Sequence, residues 1–347
     1  MRPAERDACD KTRRTGAGPP RWRAAGRAVG CVLWIAILAL SGLWHQDTIV
    51  RAFRALMSWP HILLALGGVW LLVLCAAKRY VVVGRMFTDP ARLPGSQAVA
   101  AHVRAQAANQ VLPAWAGDLV IKTRHLRRHG RLPAQRAMLA VIIDRGADAV
   151  LFGLLAPVSM LFFARVLNVQ AAMVAALAIL SGALTAIVLV RSAAGLRQRL
   201  VLQLQGRMPR RVSEQGIERA GPYALPILGW TILRYGLFVL LLSIVFQLTE
   251  TARPEVTRPV VMLALALPLV QLAGLLPVTL NGIGLHETIW VGLLASRGTP
   301  TADALGYALA LRGSVFFGST TLAGLSLLAS VRHRLRALQR RQGTPAI

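Results

Sequence analysis

Val141-Ile142-Ile143-Asp144-Arg145-Gly146-Ala147-Asp148 leads into an apolar run that ends near Phe163. Three charged side chains are thus set into a stretch that is hydrophobic on both sides. Asp144 and Asp148 are four residues apart, so on a helix both carboxylates share one face, with Arg145 turned about 100° from Asp144. An ionisable group at the centre of a membrane span costs at least about 2.5–3.5 kcal/mol on insertion scales. The plain explanation is a helix entering from the interface with its charges neutralised locally. The other is a polar cavity inside a helical bundle. Three apolar residues precede Asp144, which places the cluster past a membrane surface and favours the cavity.

The rest of the chain agrees with a membrane reading. Of 347 residues, 55% are hydrophobic and 16% charged, with 40 Lys plus Arg against 14 Asp plus Glu and a formal net charge of +26. So much apolar content excludes intrinsic disorder. A nucleic-acid binder this basic would carry more Lys and less Leu and Ala; the only lysines are Lys11, Lys78 and Lys122. A polytopic all-α membrane protein with basic loops fits both numbers. Cys9, Cys31 and Cys75 have unrelated spacings and form neither a disulfide framework nor a metal knuckle. No cofactor, metal or catalytic residue is expected.

Roughly 20 apolar residues cross the hydrocarbon as a helix. Spans are predicted at 28–45, 61–77, 146–163, 171–190, 224–248 and 259–276, with a seventh at 303–330 that carries Arg312. Segments 97–121 and 277–296 are interrupted by Pro and Gly and carry polar residues at membrane depth, which suits re-entrant or discontinuous helices. The expectation is about seven or eight transmembrane helices plus one or two such segments. Stretches 1–27, 78–136, 191–219 and 331–347 together hold 31 basic residues, the opposite loops hold 6, and Arg145, Arg234 and Arg312 fall inside helices. That bias puts both termini in the cytoplasm of a bacterial inner-membrane protein. It also requires 97–121 to dip and return, and 277–296 to cross outward. The domains are then a basic tail at 1–27, a membrane domain at 28–330 and a basic tail at 331–347.

Four polar groups need explaining. Asn109 and Leu112-Pro113-Ala114-Trp115-Ala116-Gly117-Asp118 break a helix before Lys122, which can pair with Asp118 at i, i+4; the bland alternative is an interfacial turn. Asp144, Arg145 and Asp148 are the second. In the third, Pro277 leads to Asn281-Gly282-Ile283-Gly284-Leu285-His286-Glu287. A helix starting after Gly284 aims its N-terminal amides into the membrane, with Glu287 in its first turn; simple capping is the alternative. The fourth is Arg234 and Arg312, deep in apolar helices with no carboxylate a turn away, which must pair across helices or bind a ligand anion. Groups one and three share Leu-Pro, a Gly four or five residues on, then a charge, which hints at an internal inverted repeat with a site between its halves.

Taken together, Asn109-Gln110-Val111-Leu112-Pro113 with Gly117-Asp118, then Asp144-Arg145 and Asp148, then Pro277 with Gly282-Ile283-Gly284 and Glu287, resemble the lysylphosphatidylglycerol synthase transmembrane, flippase-like family over about 28–330. The resemblance implies a lipid-translocating fold for aminoacylated phosphatidylglycerol or lipid-linked precursors. Its matching positions are Pro113, Gly117, Asp118, Arg145, Asp148, Pro277, Gly282, Gly284 and Glu287. Asp144 stands where the family usually has Glu, Asn281 where it has Gly, and His286 and Lys122 where it has Arg. The soluble aminoacyltransferase domain of bifunctional members has no counterpart, so synthase activity is not expected.

The expected function is translocation of a polar-headgroup lipid, a phospholipid or lipid-linked precursor, without covalent chemistry. The headgroup path would comprise Asn109, Pro113, Gly117, Asp118, Lys122, Asp144, Arg145, Asp148, Arg234, Asn281, Gly282, Gly284, His286, Glu287 and Arg312. Its partners would be membrane lipids, anionic, zwitterionic or polyprenyl-linked, and a lipid-synthesis enzyme encoded nearby; no nucleic acid is expected. The alternatives are a scaffold in a lipid or cell-envelope synthesis complex and a membrane-embedded lipid-modifying enzyme. The seven histidines argue against the enzyme, since most lie at ends or in loops and no Ser/His/Asp set converges.

Overall fold

The computed structural model describes residues 47, 50, 59–88, 93–109, 115–204, 215–249, 259–275 and 284–342. The tail 1–27, the expected first span 28–45, and Pro113, Pro277, Asn281 and Gly282 lie outside the described residues. Within them run nine helices and no strand: α1 Trp59–Phe87, α2 Gly95–Asn109, α3 Ala116–Arg128, α4 Ala134–Phe163, α5 Val169–Leu204, α6 Gln215–Leu248, α7 Pro259–Leu275, α8 Leu285–Ser296 and α9 Thr301–Gln342. Five are long and apolar enough to cross a membrane: α1, α4, α5, α6 and α9. Their outward faces carry large apolar side chains such as Leu71, Val150, Leu177, Leu240 and Leu327, an arrangement that suits lipid rather than water.

Helix α4 is the ruler of the bundle. Its 30 residues rise about 45 Å. At its start, the end of α1 meets the end of α3, where Thr88 Oγ1 donates to the Gly130 carbonyl at 2.9 Å. The start of α2 is there too, since Gly84 of α1 lies against both Leu93 and Leu126. Helices α2 and α3 therefore form a hairpin with both feet at one end of the bundle, as expected for a segment that dips and returns. Its arms meet at Asn109 and Asp118, beside Arg145 of α4.

At the other end of α4, Arg165 Nη2 donates to the Ser296 carbonyl at 2.8 Å and Arg297 donates to the Phe162 carbonyl. Helix α8 thus finishes there. Helix α7 is only 17 residues long and ends where Gly274 packs on the His286 ring at the start of α8. Segments 259–276 and 277–296, expected as one full span and one outward crossing, contain α7 and α8, which pack together as the two arms of a second hairpin. It enters from the end opposite to the first. Over their described residues α7 and α8 rise about 25 and 18 Å. The second arm runs toward the end of α4 at Phe162.

Two apolar cores flank the centre. One joins α1, α3, α4 and the start of the first hairpin, through Tyr80, Val83, Leu93, Leu126 and Val141. The other joins α1, α4, α6, α7, α8 and α9 through Val73, Phe152, Phe246, Leu263, Trp290 and Tyr307. Between them, at the level of the hairpin tips, lie the charges.

Candidate functional site

The first charge belongs to α1. Lys78 and Arg79 interrupt an apolar run that resumes at Tyr80-Val81-Val82-Val83, so the helix continues to Phe87 rather than ending at 77. Neighbouring residues point about 100° apart. Lys78 is exposed and Arg79 is buried. Arg79 Nη1 and Nη2 lie 2.5 and 2.8 Å from the two oxygens of Asp148, a bidentate grip, while Nε donates to Asp144 Oδ1 at 2.9 Å. Nη1 also reaches Thr231 Oγ1 at 3.1 Å. By position Arg79 belongs with the basic residues of the 78–136 stretch; the structure places it at the centre of the bundle.

The first hairpin tip supplies the next charges. Gly117 sits so close to α2 that a Cβ there would stand 2.6 Å from Asn109 Oδ1 and 2.8 Å from the Ala105 carbonyl oxygen. Only a residue without a side chain lets the arms close to this distance. The closure brings Asn109 Nδ2 to 2.7 Å from Asp118 Oδ2, and the Asp118 amide donates back to Asn109 Oδ1 at 3.3 Å. Lys122, one turn on, has Nζ 2.7 Å from Asp118 Oδ1 and 2.8 Å from Asp144 Oδ2. Arg145 pairs with Asp118, and its Nη1 is 4.0 Å from Asp148 Oδ2. Arg234 Nη1, on α6, completes the group 2.7 Å from the same oxygen.

Four cations, Arg79, Lys122, Arg145 and Arg234, thus face three carboxylates, Asp118, Asp144 and Asp148. Among the described residues one positive charge is in surplus. The side chains of Arg79 and Lys122 are closed off, at 2% and 0% exposed, whereas those of Arg145 and Arg234 remain 21% and 19% exposed. The closed pair holds the carboxylates; the open pair turns the surplus outward.

It turns into a cavity of about 240 Å³ between the two hairpin tips. Asn109, Gln106, Trp115, Arg145 and Arg234 form one wall, and Gln271, Gly274, His286, Glu287 and Arg312 the other. On the far wall Gly284 takes φ 85°, a left-handed turn that favours glycine. Its amide donates to Glu287 Oε2 at 2.7 Å, while Glu287 Oε1 faces Arg312 Nε at 3.8 Å. Glu287 therefore caps α8, as the bland reading held, and also lines the cavity. Two cavity-lining aromatics, Trp115 and Phe316, are 42% and 53% exposed, so the polar chamber adjoins the apolar outer surface.

Of the predicted path residues, Asn109, Gly117, Asp118, Lys122, Asp144, Arg145, Asp148 and Arg234 meet at the first wall. Gly284, His286, Glu287 and Arg312 meet at the second. Arg234 and Arg312 do find carboxylates on other helices, as their isolation required. Sequence reasoning missed Arg79, Thr231, Gln106, Gln271 and Trp115. For Arg79 a signal was present, since a loop does not resume with four apolar residues. The uncharged ones carry no such mark. Side-chain chemistry here is that of ion binding and hydrogen bonding to a polar group; among the described residues no His, Cys, Asp or Glu cluster suits a metal ion.

No curated protein matches the chain. The sequence profile described as Lysylphosphatidylglycerol synthase TM region matches residues 25–324. With its apolar spans and broken helices, the chain is a multi-pass integral membrane protein and belongs to that lysylphosphatidylglycerol synthase TM region family.

Proposed function

We propose that the protein moves a lipid with a polar, phosphate-bearing headgroup between leaflets, with no covalent step. The observation that carries this reading is the cavity between opposed hairpin tips, walled by Arg145, Arg234 and Arg312 and adjoining exposed Trp115 and Phe316. A headgroup in the chamber leaves its tails outside, past the two aromatics. At an effective dielectric near 20, one phosphate charge about 4 Å from the surplus positive charge gains about 4 kcal/mol. Guanidinium also offers two parallel donors to a phosphate. Glu287 and His286, on the opposite wall, suit a hydroxyl or amine beyond the phosphate. Translocation then requires the two hairpins to exchange which end of the chamber is open, as inverted repeats do in other transporters.

A scaffold role accounts for Arg79 and Lys122, whose pairs are sealed between helices. It gives no reason for Arg145 and Arg234 to face a chamber. The arginines of α3, at the feet of the first hairpin, favour that end of the bundle as the cytoplasmic one in a bacterial inner membrane. The test is headgroup accessibility of labelled phospholipids in proteoliposomes containing wild type, Glu287→Gln, Arg145→Ala or Arg234→Ala. Exchange that is catalysed by wild type and reduced at least tenfold in the arginine variants supports transport. Equal exchange in all four rules it out.

A further inference from the structure

A second feature lies away from the chamber, at the feet of the first hairpin. Helix α3 buries Lys122, His125 and Leu126 on one side. Its other side carries Val120, Arg124, Arg127 and Arg128, and the turn that follows adds Arg131. Spacings of four and three residues put Val120, Arg124 and Arg127 on one stripe of α3, and Arg131 lines the same groove. All are exposed. The stripe borders a groove of about 940 Å³ whose other side is the start of α4 with Met138, and among the described residues no carboxylate lines it. Arg131 is held there at φ 52°, a backbone conformation uncommon for arginine. Beyond Met138 the exposed face of α4 is apolar, through Leu139, Ile142 and Val150. The groove is therefore basic at its foot and apolar above.

We infer that this groove is a binding site for one anionic phospholipid, separate from the chamber and occupied by a lipid that is not transported. Its phosphate meets Arg124, Arg127, Arg128 and Arg131. Its acyl chain lies along Val120 and Met138 and continues up the outer face of α4. Plain orientation of the protein by basic residues needs arginines near this end of the bundle. It does not need them gathered beside one groove with an apolar face above them. The inference is independent of the transport reading. Because α3 is an arm of the hairpin, a lipid seated here also braces the helix that carries Asp118 and Lys122 to the chamber.

The experiment is native mass spectrometry of the full-length protein released from nanodiscs of mixed phosphatidylglycerol and phosphatidylcholine. Each arginine near an anionic surface contributes about fivefold in affinity. The triple variant Arg124→Gln/Arg127→Gln/Arg131→Gln is thus expected to weaken retention of one phosphatidylglycerol about a hundredfold. The double variant Arg145→Ala/Arg234→Ala, which removes two of the chamber's three arginines, should leave that lipid bound. Val120→Glu, which leaves every arginine in place and blocks the chain, should also release it, and serves if the triple variant does not fold. Unchanged phosphatidylglycerol retention in the triple variant and in Val120→Glu overturns the inference. So does equal retention of phosphatidylcholine by wild type, or full displacement by millimolar inorganic phosphate, which would mean an ion site with no role for the chain.

Discussion

Lys78 and Arg79 are adjacent, basic and flanked by the same apolar helix, yet the structure separates their fates by one-quarter of a turn. Replacing Arg79 with leucine removes a bidentate hold on Asp148, a hydrogen bond to Asp144 and one to Thr231. Asp144 keeps Lys122 and Asp148 keeps Arg234, so the carboxylates are not stripped bare. Breaking one side of a buried ion pair costs about 3–5 kcal/mol. For a chain of this length roughly 2 °C is lost per kcal/mol, giving a fall in Tm of about 6–10 °C. Lys78→Gln, on the exposed side, should stay within about 0.5 kcal/mol, or about 1 °C. Cys75 offers the readout. It is buried one turn before Arg79 on the same helix face. In a Cys9→Ser/Cys31→Ser background, a thiol-reactive fluorophore reports when that turn opens on heating in lipid nanodiscs. The double variant Arg79→Leu/Asp148→Asn should fall short of the sum of its parts, because both changes act on one pair. Equal shifts for Arg79→Leu and Lys78→Gln would refute the buried network.

Gly117→Ala should destabilise by about 1–3 kcal/mol, since the new methyl meets Asn109 Oδ1 and the Ala105 carbonyl and forces the hairpin arms apart; thermal unfolding measures this, and a neutral result would mean that the arms do not close as described. Glu287→Gln keeps an oxygen for the Gly284 amide, so its stability should stay within about 1 kcal/mol of wild type while Glu287→Ala loses about 1 kcal/mol more. A difference of the opposite sign in Tm would remove the cap from the account. Tyr307→Phe deletes a buried hydroxyl that donates to the Leu242 carbonyl at 3.3 Å, with an expected loss of about 1 kcal/mol by the same thermal assay.

The opposed hairpins explain why a chain with so few extramembrane residues still makes a polar centre. Each hairpin brings helix ends and charges together inside the bundle, where the long helices surround them. Asp144 and Asp148 then meet arginines from α1, α4 and α6 at once. This is also why the site tolerates a surplus charge. The surplus is shared by guanidiniums that touch a chamber instead of hydrocarbon.

Much of this could be read along the chain. Hydropathy over about 20 residues is a local property, so α1, α4, α5, α6 and α9 were legible as apolar runs, though α1 was read ten residues short. Local spacing likewise disclosed the Asp118–Lys122 pair, the shared face of Asp144 and Asp148, and the broken backbone announced by Gly117 and Gly284. Isolation was legible too, since Arg234 and Arg312 had no carboxylate within a turn and had to find one elsewhere. Which one they found was decided by packing: Arg234 met Asp148, 86 residues away, and Arg79 met the same residue, 69 away. A basic residue at a helix end and one buried against distant carboxylates look alike in sequence, because desolvation and its compensation depend on what the other helices bring. The depth of α7 and α8, and the opposition of the two hairpins across one chamber, were settled the same way, by contacts between ends that no local pattern records.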